Sequence, residues 1–100
     1  IRFIHPIQIG QLVEVHAQVI HTGTTSMHLA VDVYSRHTTE RERCKTTHCI
    51  IIFVAMDEHG KPRTVPSWTP HTDEQKKLEQ YAIRLVELRE LIDREMRPHL

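Results

Sequence analysis

Two neighbouring stretches of the chain alternate apolar and polar residues almost without fault. Both of them, Leu12 to Thr22 and Met27 to Ser35, place an apolar residue at nearly every second position. The alternating apolar residues are Val13, Val15, Ala17 and Val19 in the first stretch and Met27, Leu29, Val31 and Val33 in the second. A period of two is typical of a strand with one buried face, so the pattern predicts a long antiparallel hairpin with one apolar face.

Further strand-like segments flank this hairpin. Ile1 to Ile4 reads as a strand end that closes before a proline, because residues that precede proline favour extended geometry. A charged loop from Arg36 to Arg43 leads into a third predicted strand, Cys44 to Met56, whose middle is apolar on both faces. That continuity is typical of an inner strand that is covered on both faces. The proline-rich segment from Lys61 to Pro70 is expected to run extended without regular structure.

The last third of the chain changes to a helical period. Thr72 to Gln75 forms a capping box with acidic residues in the first turn, and Pro98 marks the expected helix end. Between these points one apolar stripe recurs at helical spacing, formed by Leu78, Tyr81, Ala82, Leu85, Leu88 and Ile92. Strands first and one helix last predict an α+β fold.

Length and charge restrict the classes of function. A chain of 100 residues predicts a single domain over residues 1–100. Lys and Arg number 13, as do Asp and Glu, so the formal net charge is zero. We expect no nucleic-acid partner, because such domains normally carry a basic excess. No apolar run is long enough to cross a bilayer.

The cysteines and histidines indicate no special chemistry. Cys44 and Cys49 are too few for a disulfide framework and predict a reducing setting, in the cytosol or an organelle matrix, of which we expect the cytoplasm. Their spacing around His48 does not match zinc sites, so we expect no metal ion. His48 and Cys49 are neighbours in a strand and point to opposite faces, which argues against a nucleophile pair. His16 and His28 are expected at the surface or at an interface.

The hairpin tip, Gly23-Thr24-Thr25-Ser26-Met27, is the strongest candidate binding site. It offers three hydroxyl groups, a glycine and several backbone N–H groups, which together suit an anion. The alternative is that the hydroxyls only satisfy the backbone of the turn itself. Both interpretations are open at the level of sequence.

Several motifs, in order along the chain, resemble the acyl-CoA thioesterases of the hotdog fold. They are Phe3-x-x-Pro6-Ile7-x-x-Gly10-x-Leu12-Val13-x-Val15, Thr22-Gly23-x-Thr25-Ser26-Met27, Val31-x-Val33 and Phe53-Val54-Ala55-Met56-Asp57-x-x-Gly60-Lys61-Pro62-Arg63-x-Val65-Pro66. The resemblance runs from Arg2 to about Arg89. It implies a hotdog-type antiparallel β-sheet followed by a C-terminal helix.

The resemblance also implies a part that this sequence does not contain. In that family the sheet wraps around a long central helix that precedes these strands and carries the catalytic carboxylate or amide. No segment here matches that helix, and the chain opens at Ile1 in strand-like sequence without methionine. We therefore expect an incomplete hotdog domain, with the central helix absent and the unknown catalytic residue upstream of Ile1.

Residues that contact coenzyme A are implied in three places. The candidates are Thr24, Thr25 and Ser26 at the hairpin tip, Arg84 on the helix, and Lys61 and Arg63 after the third strand. The helical arginine resembles one that contacts the coenzyme in the family, and a plain surface charge is its alternative. For the last two residues a solvated loop is the simpler interpretation.

The implied activity is hydrolysis of acyl-CoA to a free acid and coenzyme A. Coenzyme A is then part of the substrate, and no cofactor is expected. Sites of the family lie between subunits, so a homo-oligomer is expected, as a dimer or a hexameric trimer of dimers. A non-catalytic module that binds acyl-CoA or drives assembly is the alternative, and a hotdog dehydratase is a third possibility that requires a histidine upstream.

Overall fold

A four-stranded antiparallel sheet followed by one long helix makes up the computed structural model, which describes residues 1–100. The strands, in spatial order β1-β4-β3-β2, are β1 (Arg2–Phe3), β2 (Leu12–Thr22), β3 (Ser26–Arg36) and β4 (Cys44–Val54). The predicted hairpin and third strand are therefore confirmed to within two residues at their ends. The inner position predicted for the third strand is also confirmed, since β4 pairs with both β1 and β3. The cover predicted on both of its faces is found on one face only, because Ile51 and Phe53 on the other are exposed.

Strand register fixes which side chains share a face. Val15 pairs with Val33, which pairs with Thr47, and on the next rung His16 pairs with Asp32 and then His48. Irregularities interrupt the register after Val19 in β2 and after Val33 in β3. One side of the sheet, which we call the apolar face, carries Val13, Val15, Ala17, Val19, Met27, Leu29, Val31, Val33, Cys49, Ile51 and Phe53.

The helix α1 (Asp73–Met96) begins at the capping box predicted from the sequence. The Thr72 hydroxyl accepts from the Gln75 backbone N–H at 3.1 Å, and the Gln75 side chain accepts from the Thr72 N–H at 3.3 Å. A single 3₁₀ turn, Arg97–His99, follows and contains Pro98, so the predicted helix end is confirmed within two residues. No helix is long and apolar enough to cross a membrane.

The small core lies between α1 and the side of the sheet opposite the apolar face, which we call the helix side. Its buried members are Ile20, Ala30 and Ala82, and Ile50 and Leu78 pack against them. Apolar residues therefore interrupt an otherwise polar pattern where α1 crosses the strands. Ala82 is the only fully buried residue of the helix, so the apolar contact between helix and sheet is limited.

The apolar face has no cover within the chain. Val15 is 64% exposed and Phe53 51% exposed, although both lie on the most regularly apolar surface of the sheet. The radius of gyration of 16.9 Å agrees with this open shape, because a compact domain of this length has a value of about 13 Å. An apolar surface of this kind marks a packing partner that the chain itself does not provide.

Candidate functional site

The hairpin tip is a tight turn whose geometry depends on Gly23. The Gly23 N–H donates to the Ser26 carbonyl at 3.0 Å and closes the turn. A β-carbon built at Gly23 lies 2.7 Å from Ser26 Oγ, well inside normal contact. A side chain at position 23 would therefore force the Ser26 hydroxyl to rotate away, although the backbone angle at Gly23 is one that any residue adopts.

The segment that follows β4 holds the tip in place through backbone hydrogen bonds. The Ala55 N–H donates to the Thr25 carbonyl at 2.8 Å, and the Val65 N–H donates to the Thr24 carbonyl at 2.9 Å. The Thr22 hydroxyl accepts from the Trp68 N–H at 3.0 Å. Val65 is itself buried, so the strap from Ala55 to Trp68 packs against the turn and fixes its shape.

The hydroxyls of Thr24, Thr25 and Ser26 make no hydrogen bond within the chain. The carbonyls of the two threonines are satisfied by the strap, and the turn is closed by main-chain groups. The sequence left open whether these hydroxyls serve only the turn's own backbone. The structure leaves all three free, with Thr24 exposed and its two neighbours half-buried.

Arg63 and Lys61 lie on the same strap as the residues that hold the tip. The Arg63 N–H donates to the Ala55 carbonyl at 2.8 Å. Ala55 is the residue whose N–H donates to Thr25, so Arg63 is linked to the tip through Ala55. Lys61 follows a turn around the Asp57 carboxylate, which accepts the N–H of His59 at 2.8 Å and of Lys61 at 2.9 Å. Both basic side chains are exposed and neither has a carboxylate partner.

Within one chain, Arg84 is not in contact with the hairpin tip. Its side chain is 70% exposed on the outer side of α1 and approaches Glu87, one turn further on, at 3.4 Å. No contact joins it to the hairpin tip or to the strap. Five of the six predicted site residues thus lie either in the turn or on the strap that is hydrogen-bonded to it through backbone groups, and the sixth lies on the helix.

A polar chain beneath α1 was not predicted from the sequence. Asp32 Oδ1 lies 2.6 Å from His48 Nδ1, and His48 Nε2 lies 2.8 Å from the Tyr81 hydroxyl oxygen. Lys45 Nζ approaches the same Asp32 oxygen at 3.1 Å. Partial burial acts to raise the pKa of Asp32, but hydrogen bonds from His48 and Lys45 hold that pKa below its ordinary value. The prediction that His48 and Cys49 point to opposite faces agrees with this arrangement.

His28 corrects an expectation, since it is buried rather than at the surface. Only 6% of the residue is exposed, its Nδ1 has no hydrogen-bond partner, and its ring centroid lies 5.1 Å from that of His21. Burial lowers the pKa of His28, and the nearby His21 and Arg89 add to the effect. The described residues contain no group of three histidine, cysteine or carboxylate side chains arranged to hold a metal ion.

Comparison with known proteins identifies relatives over most of the chain. Residues 1–42 match the family model described as Thioesterase superfamily. The acyl-CoA thioester hydrolase YciA of Salmonella typhimurium is 33% identical over 67 residues, which are 64% of this chain and 50% of that protein. The chain spans about half the length of the curated relatives that it matches.

Solved structures extend the similarity to the fold. An apo-hexameric acyl-CoA thioesterase superposes with a TM-score of 0.82 at 38% identity, over 89% of this chain and 57% of the other. An acyl-CoA hydrolase from Staphylococcus aureus, in complex with butyryl coenzyme A and coenzyme A, superposes with a TM-score of 0.83 at 28% identity. That match covers 98% of this chain and 60% of the other.

Proposed function

We propose that this chain, which its sequence and fold relate to the hotdog acyl-CoA thioesterases, forms the coenzyme A-binding part of an enzyme that hydrolyses acyl-CoA to a free acid and coenzyme A. The family relationship and the hotdog-type sheet are the premises of this proposal. The activity is carried by relatives roughly twice the length of the chain, so it belongs to the complete protein.

The observation that carries the proposal is the free state of the tip hydroxyls. Three hydroxyl groups without a hydrogen-bond partner in the chain stand on a turn whose backbone the strap already satisfies, and Arg63 belongs to that strap. Hydroxyl donors and a guanidinium on neighbouring segments suit a phosphate or another anionic group. We assign Thr24, Thr25, Ser26, Lys61 and Arg63 to the phosphate-bearing end of coenzyme A, and Arg84 to a contact from α1.

Thioester hydrolysis also needs an activated water or carboxylate nucleophile and a donor for the developing oxyanion. None of the residues assigned above provides a carboxylate next to the tip. The uncovered apolar face suits the packing of an amphipathic helix. In the hotdog acyl-CoA thioesterases a central helix packs against this face of the sheet. We propose that such a helix covers Val15 and Phe53 in the complete enzyme and brings the catalytic carboxylate.

The proposal also covers the oligomeric state and the cellular compartment of the complete protein. Three of the solved relatives are described as hexameric, and we propose that the complete protein forms dimers and a trimer of dimers in the cytoplasm. A non-catalytic acyl-CoA-binding or oligomerisation module is the alternative function. Measured hydrolysis of acyl-CoA by the complete protein separates the two.

Calorimetric titration of the protein with coenzyme A tests the site directly. Replacing Ser26 with alanine is expected to weaken binding about five-fold, the effect of one lost hydrogen bond of roughly 1 kcal/mol. Thr39→Ala is the matched control, because it removes an exposed hydroxyl from the loop at the other end of the hairpin. Equal affinities of wild type and Ser26→Ala for coenzyme A would mean that the tip hydroxyls only contact solvent and do not bind the coenzyme.

A further inference from the structure

The attachment of α1 to the sheet combines limited apolar burial with polar contacts. Ala82 is the only fully buried residue among the 24 of the helix, and Leu78, Leu85 and Val86 are half-buried. A single small buried residue provides little interlocking against a roll of the helix, because such interlocking needs large side chains packed into grooves. Polar contacts can therefore contribute to the position of the helix.

Two side-chain pairs provide those contacts, one on each side of Ala82. Glu79 Oε2 lies 3.2 Å from His21 Nδ1 on β2, and the Tyr81 hydroxyl lies 2.8 Å from His48 Nε2 on β4. Successive helical residues are about 100° apart, so Glu79 and Tyr81 flank the line through Ala82. A helix held at both flanks cannot roll without breaking one of the two contacts.

The contact of Tyr81 is the better defined of the two, because His48 is itself oriented. The Asp32 carboxylate can only accept a hydrogen bond, so His48 Nδ1 carries the proton in the 2.6 Å pair between them. In the neutral ring Nε2 is then an acceptor, and the Tyr81 hydroxyl donates to it. Lys45 Nζ lies 3.1 Å from the same oxygen, Asp32 Oδ1. Asp32 belongs to β3 and both Lys45 and His48 belong to β4, so the chain of contacts is anchored on two strands.

We propose that the Asp32–His48–Tyr81 chain of hydrogen bonds positions α1, and thereby sets where the helix presents Arg84 to the phosphates of coenzyme A. This inference rests on the proposed function, in which Arg84 contacts the coenzyme. Arg84 follows Tyr81 by less than one turn of the same rigid helix. A roll about the helix axis therefore moves its guanidinium together with the Tyr81 hydroxyl. The three residues of the chain are positioning residues, since none of them touches substrate in this arrangement.

The test compares two substrates of the full-length protein. Tyr81→Phe keeps the ring and removes only the hydroxyl, and its control Thr39→Ala removes an exposed hydroxyl from the loop at the far end of the hairpin, which makes no contact with α1. We expect Tyr81→Phe to raise KM for acyl-CoA about five-fold, the effect of one hydrogen bond. The KM for the matching N-acetylcysteamine thioester, which lacks the nucleotide, is expected to stay unchanged, as are both values in Thr39→Ala.

The outcomes separate this inference from the function on which it rests. Equal rises of KM for the two substrates, or no rise for either, overturn positioning of Arg84 and leave the thioesterase proposal in place. Absence of both hydrolysis and coenzyme A binding in the wild type overturns the proposed function and the inference with it. A double variant with Arg84→Gln gives a further check, because removal of Arg84 should make KM insensitive to Tyr81→Phe.

Discussion

Gly23 and Ser26 lie so close at the hairpin tip that a β-carbon on Gly23 falls 2.7 Å from Ser26 Oγ. The hydroxyl proposed to bind coenzyme A thus occupies the space that any other residue at position 23 needs. The shape of the turn and the position of this donor are therefore linked through one contact.

Replacing Gly23 with alanine is expected to rotate the Ser26 hydroxyl away, because Ser26 Oγ is the atom that must move. The unfolding free energy should change little, since this oxygen has no hydrogen bond to lose, whereas KM for acyl-CoA should rise because the donor moves. In a Ser26→Ala background the same Gly23→Ala change should leave KM unaltered. Kinetics of the two single variants and the double variant measure this coupling, and strictly additive effects on KM would contradict it.

Arg63 and Arg84 are both expected to contribute to binding of coenzyme A, although they lie on different elements. Arg63 sits on the strap that holds the tip, whereas Arg84 is joined to the tip by no contact within one chain. Each arginine replaced by glutamine should raise KM for acyl-CoA, because a charged hydrogen bond is worth about 1.5–3 kcal/mol. The rise should shrink at high salt. Arg41→Gln, in the charged loop, is the control, and a similar rise in that variant would point to general electrostatic attraction rather than a site.

The protein is expected to become less stable as the pH is lowered, because of His28. Burial lowers the pKa of this histidine below its ordinary value of 6.5. Between the two pKa values His28 is therefore protonated in the unfolded chain and neutral in the folded chain. The free energy of unfolding should therefore decrease as the pH falls below about 6.5. The decrease continues until the folded-state pKa is reached.

Chemical denaturation between pH 5 and 8 measures this dependence. His28→Gln should flatten the curve, whereas His59→Gln, which changes a histidine that is 76% exposed, should leave it unchanged. A curve of unaltered slope in His28→Gln would assign the pH dependence to other groups.

The apolar face is expected to be buried in the complete protein. Val15→Asp places a charge on that face and should destabilise the fold by several kcal/mol or disrupt assembly, because a buried charge without a partner is costly. Gln18→Asp changes an exposed residue of the same strand on the helix side and is the matched control. Thermal unfolding and size-exclusion chromatography of both variants give the comparison, and equal behaviour of the two would mean that the face is solvated.

Much of the fold follows from local patterns in the sequence. The alternation from Leu12 to Ser35 and the capping box at Thr72 each depend on residues close in sequence, and the structure confirms both. The side of the sheet taken by α1 does not follow in this way. It is decided by Ile20, Ala30 and Ile50, which come from three strands and meet only once the register is known.

The candidate site divides in the same manner. The tip residues were found from the polar turn between two alternating strands, and their resemblance to a family gave them a role that is still a prediction. The Asp32–His48–Tyr81 chain went unnoticed because its members are separated by 16 and 33 residues. His28 was misplaced for a related reason, since its burial follows from the packing of the helix side rather than from the alternation of its own strand.

The most direct test of the central claim is thiol release from a panel of acyl-CoA substrates of increasing chain length, measured on the complete protein with a thiol reagent. The proposed function predicts release of coenzyme A from at least one member of the panel, with a KM that rises in Ser26→Ala and Arg63→Gln. No release at any chain length, by protein that is folded and binds coenzyme A, would contradict the enzyme and leave a binding module in its place.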